Sequence, residues 1–118
     1  MPYDRGDVVL VLFPDSNLVT AKRQPALVVQ ADRLNTGLAQ TIVAMITSNS
    51  ARARHPSRVT VLSSSKDGKE MGLLSDSVVM TDNLATILDS EIDRVIGRSN
   101  NMRPIDAALR HTLGLGNS

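Results

Sequence analysis

Apolar and polar positions change rhythm at short intervals along the chain, and each rhythm points to an element. Asp7 to Phe13 reads DVVLVLF, β-branched and apolar, and Pro14 closes it because proline has no N–H for a strand ladder. Asp15 to Arg23 is polar and rich in turn residues, which predicts a nine-residue loop. Pro25 to Gln30 gives a second strand, with its proline expected at the first residue or on a sheet edge. Thr41 to Ile46 is apolar almost throughout, so a strand covered on both faces is expected, stopping at Thr47-Ser48-Asn49-Ser50. Arg58 to Leu62 alternates and reads as a half-exposed strand. Ser63 to Met71 reads as a loop around Asp67-Gly68. Three short extended segments follow, at Ser77 to Met80, Leu84 to Leu88 and Ile92 to Ile96, the last closed by Gly97.

Helical spacing occurs only near the C-terminus, where Met102, Ile105, Leu109 and Leu113 recur at three- and four-residue intervals. Pro104 suits a first helical turn, Asn100 or Asn101 can cap it, and Gly114 or Gly116 can stop it. Many short strands followed by one helix predict a mainly β, α+β fold: a small bent antiparallel sheet or barrel with the helix packed on it. With 118 residues and no repeat or linker, one domain over 1–118 is expected.

Composition narrows the chemistry. The chain has no cysteine, which removes disulfides, thiolate metal sites and a thiol nucleophile together. Its longest apolar runs, Val8 to Phe13 and Ala26 to Val29, fall far short of the ~20 residues a membrane helix needs. No signal-peptide pattern precedes them, so a soluble, cytoplasmic protein is expected. Tyr3 and Phe13 are the only aromatics, too few for a base-stacking platform, and Phe13 is expected in the core. The net charge of +1 hides an asymmetry: residues 1–70 carry nine basic and six acidic side chains, the remainder four and six. The basic residues cluster at Lys22-Arg23 and at Arg52, Arg54, His55 and Arg58. Such clusters either solubilise loops or steer a polyanion onto one face.

His55 and His111 stand in different contexts, and HxxxH, HExxH and calcium-loop patterns are absent, so neither a metal nor another cofactor is expected. The seven glycines stand apart from one another in no phosphate-cradling pattern, and GxSxG is missing. Chemistry that needs only hydrogen-bond donors and fixed positive charge is left. RNA cleavage is of this kind: the neighbouring 2′-hydroxyl is the nucleophile, and the enzyme orients it and offsets charge on phosphorus-bound oxygens. Arginine suits that task through its planar fork, and threonine can hydrogen-bond a phosphate oxygen.

Five short motifs stand in register along the chain: Gly6-Asp7-Val8-Val9 with Phe13-Pro14; Lys22-x-x-Pro25-Ala26-Leu27-Val28-Val29; Ile46-Thr47-Ser48-Asn49; Gly72-Leu73 with Asp76-Ser77-Val78; and the terminal amphipathic helix. In this the chain resembles the MazF/PemK family of type II toxin–antitoxin ribonucleases. The resemblance implies a CcdB-like, SH3-like bent sheet, a homodimer, and a metal-independent, sequence-selective endoribonuclease. Its substrate would be single-stranded RNA, its action growth inhibition, and a cognate antitoxin would neutralise it. It also implies two catalytic positions. Thr47 matches the threonine that ends the third strand, whereas Gln24 stands where the family has an arginine. Arg23 can substitute if residues 23 and 24 belong to a loop; in strand geometry it faces away. Asp82 matches an acidic position of some members, and Met80 stands where those members have an arginine. Lys22, Ser48, Asn49, Arg52, Arg54 and Arg58 complete the candidate RNA contacts. With Gln24 and Met80 in place, a weakened or inactive RNA- or antitoxin-binding module is the alternative, and a gyrase-directed CcdB-like toxin is a third. Apolar surface at Val78-Val79 or Leu84 could serve either a dimer interface or the core.

Overall fold

The computed structural model describes residues 2–14 and 21–116, the side chains of 13, 14 and 21 excepted. Six strands are seen: β1 (Asp7–Pro14), β2 (Ala21–Val28), β3 (Gln40–Thr47), β4 (Arg58–Val61), β5 (Ser77–Leu88) and β6 (Ile92–Arg98). They form one antiparallel sheet in the order β4-β5-β3-β2-β1-β6, which stays open, with β4 and β6 at its edges. Two helices, α1 (Lys66–Glu70) and α2 (Arg103–Leu113), and one-turn 3-10 helices at Ser50–Arg52 and Asp89–Glu91 complete it.

The near-continuous apolar runs of β1, β2 and β3 follow from burial on both faces. Val9, Val11, Ala26, Val28, Val43, Met45, Val78 and Met80 form the core on one face. Their alternates Val8, Leu27, Ala44, Ile46 and Val79 form the other, with Val61, Met71, Leu73 and Ile105. Helix α2 packs across β5 and β4 and buries Ile105 and Ala108. Leu113, expected in its apolar stripe, is instead 54% exposed. Gly114 ends α2 in the left-handed conformation (φ 69°), as the sequence predicts. The expected asparagine cap is weaker: Met102 is the N-cap, and Asn101 Oδ1 only accepts a 3.4 Å bond from the Arg103 N–H.

Several expectations need correction. The predicted loop at 15–23 does not extend to its last residues, because β2 begins at Ala21 and holds Lys22, Arg23 and Gln24 in strand geometry. Residues 15–20, and the Phe13 side chain expected in the core, lie outside the described part. Pro25 sits inside β2, opposite Leu10. This is tolerated because Pro25 lies just outside the β2–β3 ladder, which starts at Ala26 opposite Met45. The segment 63–71, read as loop, contains α1, capped by Ser65, whose Oγ accepts the Gly68 N–H at 3.0 Å. The two segments expected at 77–80 and 84–88 are a single strand, β5, carried through a bulge: Ala44 pairs with Leu84 but Met45 with Met80. Val78 and Val79 are buried in the core, so neither presents apolar surface to a partner.

Candidate active site

The bulge in β5 shapes the site. Thr81, fully buried, anchors it: its N–H and hydroxyl both donate to the Ser57 carbonyl, at 3.0 and 2.5 Å, and the hydroxyl also meets Thr112 Oγ1 at 2.8 Å. With Thr81 held inward, Asp82 is turned out beside Arg58 of β4. Their side chains join in two bonds, Arg58 Nη2 to Asp82 Oδ2 at 2.7 Å and Arg58 Nε to Oδ1 at 3.4 Å. A groove of about 430 Å³ runs along this corner, lined by Gln24, Thr47, Asn49, Arg52, Arg58, Met80, Asp82 and Asn83.

Thr47 ends β3 at the groove. Its Oγ1 accepts the Asn49 N–H at 3.1 Å, which leaves the hydroxyl proton free to donate outward. Asn49 in turn accepts the Ala51 N–H at 3.0 Å and starts the 3-10 turn that carries Arg52. Gln24 shares the β2 face of Ala26 and Val28, and its Nε2 donates to the Ile46 carbonyl at 3.3 Å. The side chain thus supplies a donor at the one place where Pro25 cannot.

A second cavity, of about 560 Å³, opens on the opposite face and meets the first at Gln24 and Thr47. It is lined mainly by Leu10, Pro25, Leu73, Leu74 and Ile96, with Lys22, Arg23, Ser48 and Arg94 at its margin. Arg23 lies here because successive strand residues alternate; it pairs with Asp93 of β6 at 3.1 Å and is not among the groove residues. Arg54 is exposed, adopts a left-handed backbone (φ 65°), and also lies off the groove. The structure therefore gathers Gln24, Thr47, Asn49, Arg52, Arg58 and Asp82, and places Lys22, Arg23, Ser48 and Arg54 outside that group. Sequence reasoning missed Asn83 and Arg94. No local signal marks either, since Asn83 is exposed only by the bulge and Arg94 is brought in by the distant pairing of β6 with β1.

The two histidines, expected in separate settings, meet edge to face with ring centroids 6.0 Å apart, because α2 lies over β4. His55 Nδ1 is 2.7 Å from Ser57 Oγ. Among the described residues no three histidine, cysteine or carboxylate side chains cluster as a metal site would need. Likewise no described helix is long and apolar enough to cross a membrane.

The Arg58 hydrogen bond holds the Asp82 carboxyl below its usual range, partial burial opposing it. A carboxylate with a depressed native pKa stabilises the fold fully above its unfolded value, and that contribution is lost as pH falls through the native one. Asp82→Asn is therefore expected to lower stability modestly above about pH 5, where the wild-type carboxylate is ionised, and to converge on the wild type as pH falls below the usual carboxylate range. Urea midpoints measured against pH check this; an equal loss at all pH values would show that the pair is not the cause.

Residues 4–113 match the family described as PemK-like, MazF-like toxin of type II toxin–antitoxin system. The chain is 35% identical over 107 residues to Endoribonuclease MazF6 of Mycobacterium tuberculosis, covering 88% of this chain and 90% of that one. The same figures hold for Endoribonuclease MazF2 of Mycobacterium bovis. Among solved structures, an endoribonuclease in complex with its cognate antitoxin from a mycobacterial species superposes with a TM-score of 0.76 at 23% identity, covering 98% of this chain and 99% of that one. A MazE–MazF structure from Deinococcus radiodurans superposes with a TM-score of 0.72 at 21% identity, covering 98% and 100%. At such identities the structural likeness speaks for the fold.

Proposed function

The chain belongs to the PemK-like, MazF-like toxin family of type II toxin–antitoxin systems, and on that footing we propose that it is a metal-independent endoribonuclease cutting single-stranded RNA sequence-selectively. The observation that carries this reading is the Thr47 hydroxyl, its proton free, facing a groove with two guanidinium groups. A phosphate seated there receives a hydrogen bond from Thr47 and charge-assisted bonds from Arg52 and Arg58. The 2′-oxygen–phosphorus bond then forms as the phosphorus–O5′ bond breaks, giving a 2′,3′-cyclic phosphate and a free 5′-hydroxyl. Gln24 holds the end of β3 in place, and Lys22, Ser48 and Asn49 flank the path of the strand. Arg23 and Arg54, off the groove, take RNA only beyond the scissile phosphate.

Partners follow from the same surface. A cognate antitoxin occupies the basic groove and blocks RNA, the protein works as a homodimer in the cytoplasm, and its free form inhibits growth. Incubating the protein with mixed single-stranded RNA in EDTA is expected to give discrete cuts at a recurring sequence, read by end mapping. Cleavage lost in chelator would overturn the metal-free mechanism. RNA or antitoxin binding without cuts would instead establish the inactive binding module that Gln24 and Met80 suggest, and altered DNA supercoiling would point to gyrase.

A further inference from the structure

Two arginines, Arg52 and Arg58, line the groove, and neither stands at the positions where the resemblance puts one. Gln24 is neutral, and its amide is committed to the Ile46 carbonyl. Met80 puts a thioether where the resemblance calls for an arginine. Yet the strand register sets Arg58 of β4 directly opposite Met80 of β5. Cross-strand partners share a face, with Cβ atoms only about 4.5–5.5 Å apart. A guanidinium at 58 therefore reaches the space that one at 80 would fill.

We propose that Arg58 is the catalytic cation of this chain, and that Asp82 is its positioning residue. The inference rests on the endoribonuclease reading above. Three features separate Arg58 from Arg52. Its side chain is 22% exposed, so its field is less screened by water than that of the exposed Arg52 on the 3-10 turn. It is held by two bonds to Asp82, while no ion pair to Arg52 occurs among the described residues. Those bonds use Nε and Nη2 only, which leaves Nη1 and the second Nη2 proton for phosphate oxygens.

In the step itself the 2′-oxygen–phosphorus bond forms and the phosphorus–O5′ bond breaks. The proton lost by the 2′-hydroxyl and the one gained by O5′ are exchanged with water. Arg58 donates to the non-bridging oxygens as their charge grows, next to the Thr47 hydroxyl. Asp82, acceptor to the guanidinium and held ionised by it, keeps the fork aimed and takes no proton in the step.

The test uses the purified protein and a single-stranded RNA carrying the mapped cleavage sequence. Arg58→Met is expected to lower kcat at saturating RNA by roughly 10–100-fold, with a smaller change in KM, the loss expected for one charged hydrogen-bond donor. The exchange Arg58→Met with Met80→Arg, which returns the same two side chains across the register, is expected to recover most of that loss. Asp82→Asn is expected to lower kcat less and to shift the acid limb of the pH–rate profile. Should Arg58→Met fail to fold by circular dichroism, Arg58→Gln keeps a polar amide donor without the charge and is expected to show the same drop. A folded Arg58→Met or Arg58→Gln variant with wild-type kcat overturns the proposal, as does an exchange variant no faster than the single one. Wild-type protein that cuts nothing is a different result: it overturns the endoribonuclease reading, and this proposal with it.

Discussion

Thr47→Val is expected to lower RNA cleavage by roughly 10²–10³-fold, the loss seen when one donor to a developing oxyanion is removed. Valine is nearly the same shape, keeps the β-branch that suits the end of β3, and removes only the hydroxyl. The one protein bond lost is the Asn49 N–H to Thr47 Oγ1, at an exposed position where water replaces it. Stability should therefore fall by no more than about 1 kcal/mol, which separates a chemical defect from an unfolding one. Thr47→Ser, which restores the hydroxyl, is expected to recover most of the rate. Single-turnover cleavage at saturating RNA, alongside urea midpoints, decides the matter. A folded valine variant that cuts at the wild-type rate would move the chemistry away from this end of β3.

The largest stability effect is expected at Gly72, where α1 hands the chain back toward the sheet. Gly72 has φ +73°, and an added Cβ would lie 2.2 Å from the Ile96 carbonyl oxygen. The contact is reciprocal: a Cβ on Gly97 would lie 2.3 Å from the Met71 carbonyl carbon. Backbone thus presses on backbone, with no flexible side chain to give way. Gly72→Ala combines left-handed strain with that overlap and is expected to cost about 2–4 kcal/mol. Gly37→Ala is the control, since Gly37 has φ +78° with nothing within 4 Å of its added Cβ, and only about 1 kcal/mol is expected there. Equal losses at the two positions would show that crowding against β6 contributes nothing. Displacing Gly72 also shifts Leu73 and Leu74, which line the larger cavity, so any surviving Gly72→Ala protein should have altered RNA affinity.

How much of this was legible in the chain depends on the range of the interaction concerned. Local signals worked where a single residue decides the local backbone. Gly114 stops α2 in the left-handed conformation, and Asn49-Ser50 ends β3 in a cap. Apolar runs located β1, β2 and β3 because burial on both faces leaves no polar alternation to confuse. Where local and long-range effects compete, the sequence reading slipped. Pro25 argued for a strand start, but pairing with β1 carries β2 back to Ala21 and takes Lys22 and Arg23 with it. Polar residues at Thr81-Asp82-Asn83 argued for a break, but the strand continues through them as a bulge, because Thr81 has a buried partner in Ser57.

The candidate site divides in the same way. The basic run from Arg52 to Arg58 was identifiable by its charge, Thr47 and Asp82 were named by the resemblance, and the family followed from motifs in register. Which arginine serves was not identifiable. Arg23 and Arg58 are equal in charge, and they are told apart only by the face each occupies and the carboxylate each meets, Asp93 or Asp82. By itself, then, the sequence determined the mainly β character with a C-terminal helix, the positions of β1, β3 and α2, and the family. The tertiary structure alone decided that Met80 and Arg58 face each other, that Asp82 turns out to hold Arg58, and that Gln24 serves the backbone. The physical reason is that a strand's neighbours across a sheet are chosen by pairing between distant segments, and the three residues of the bulge at 81–83 are placed by that pairing and not by their own sequence.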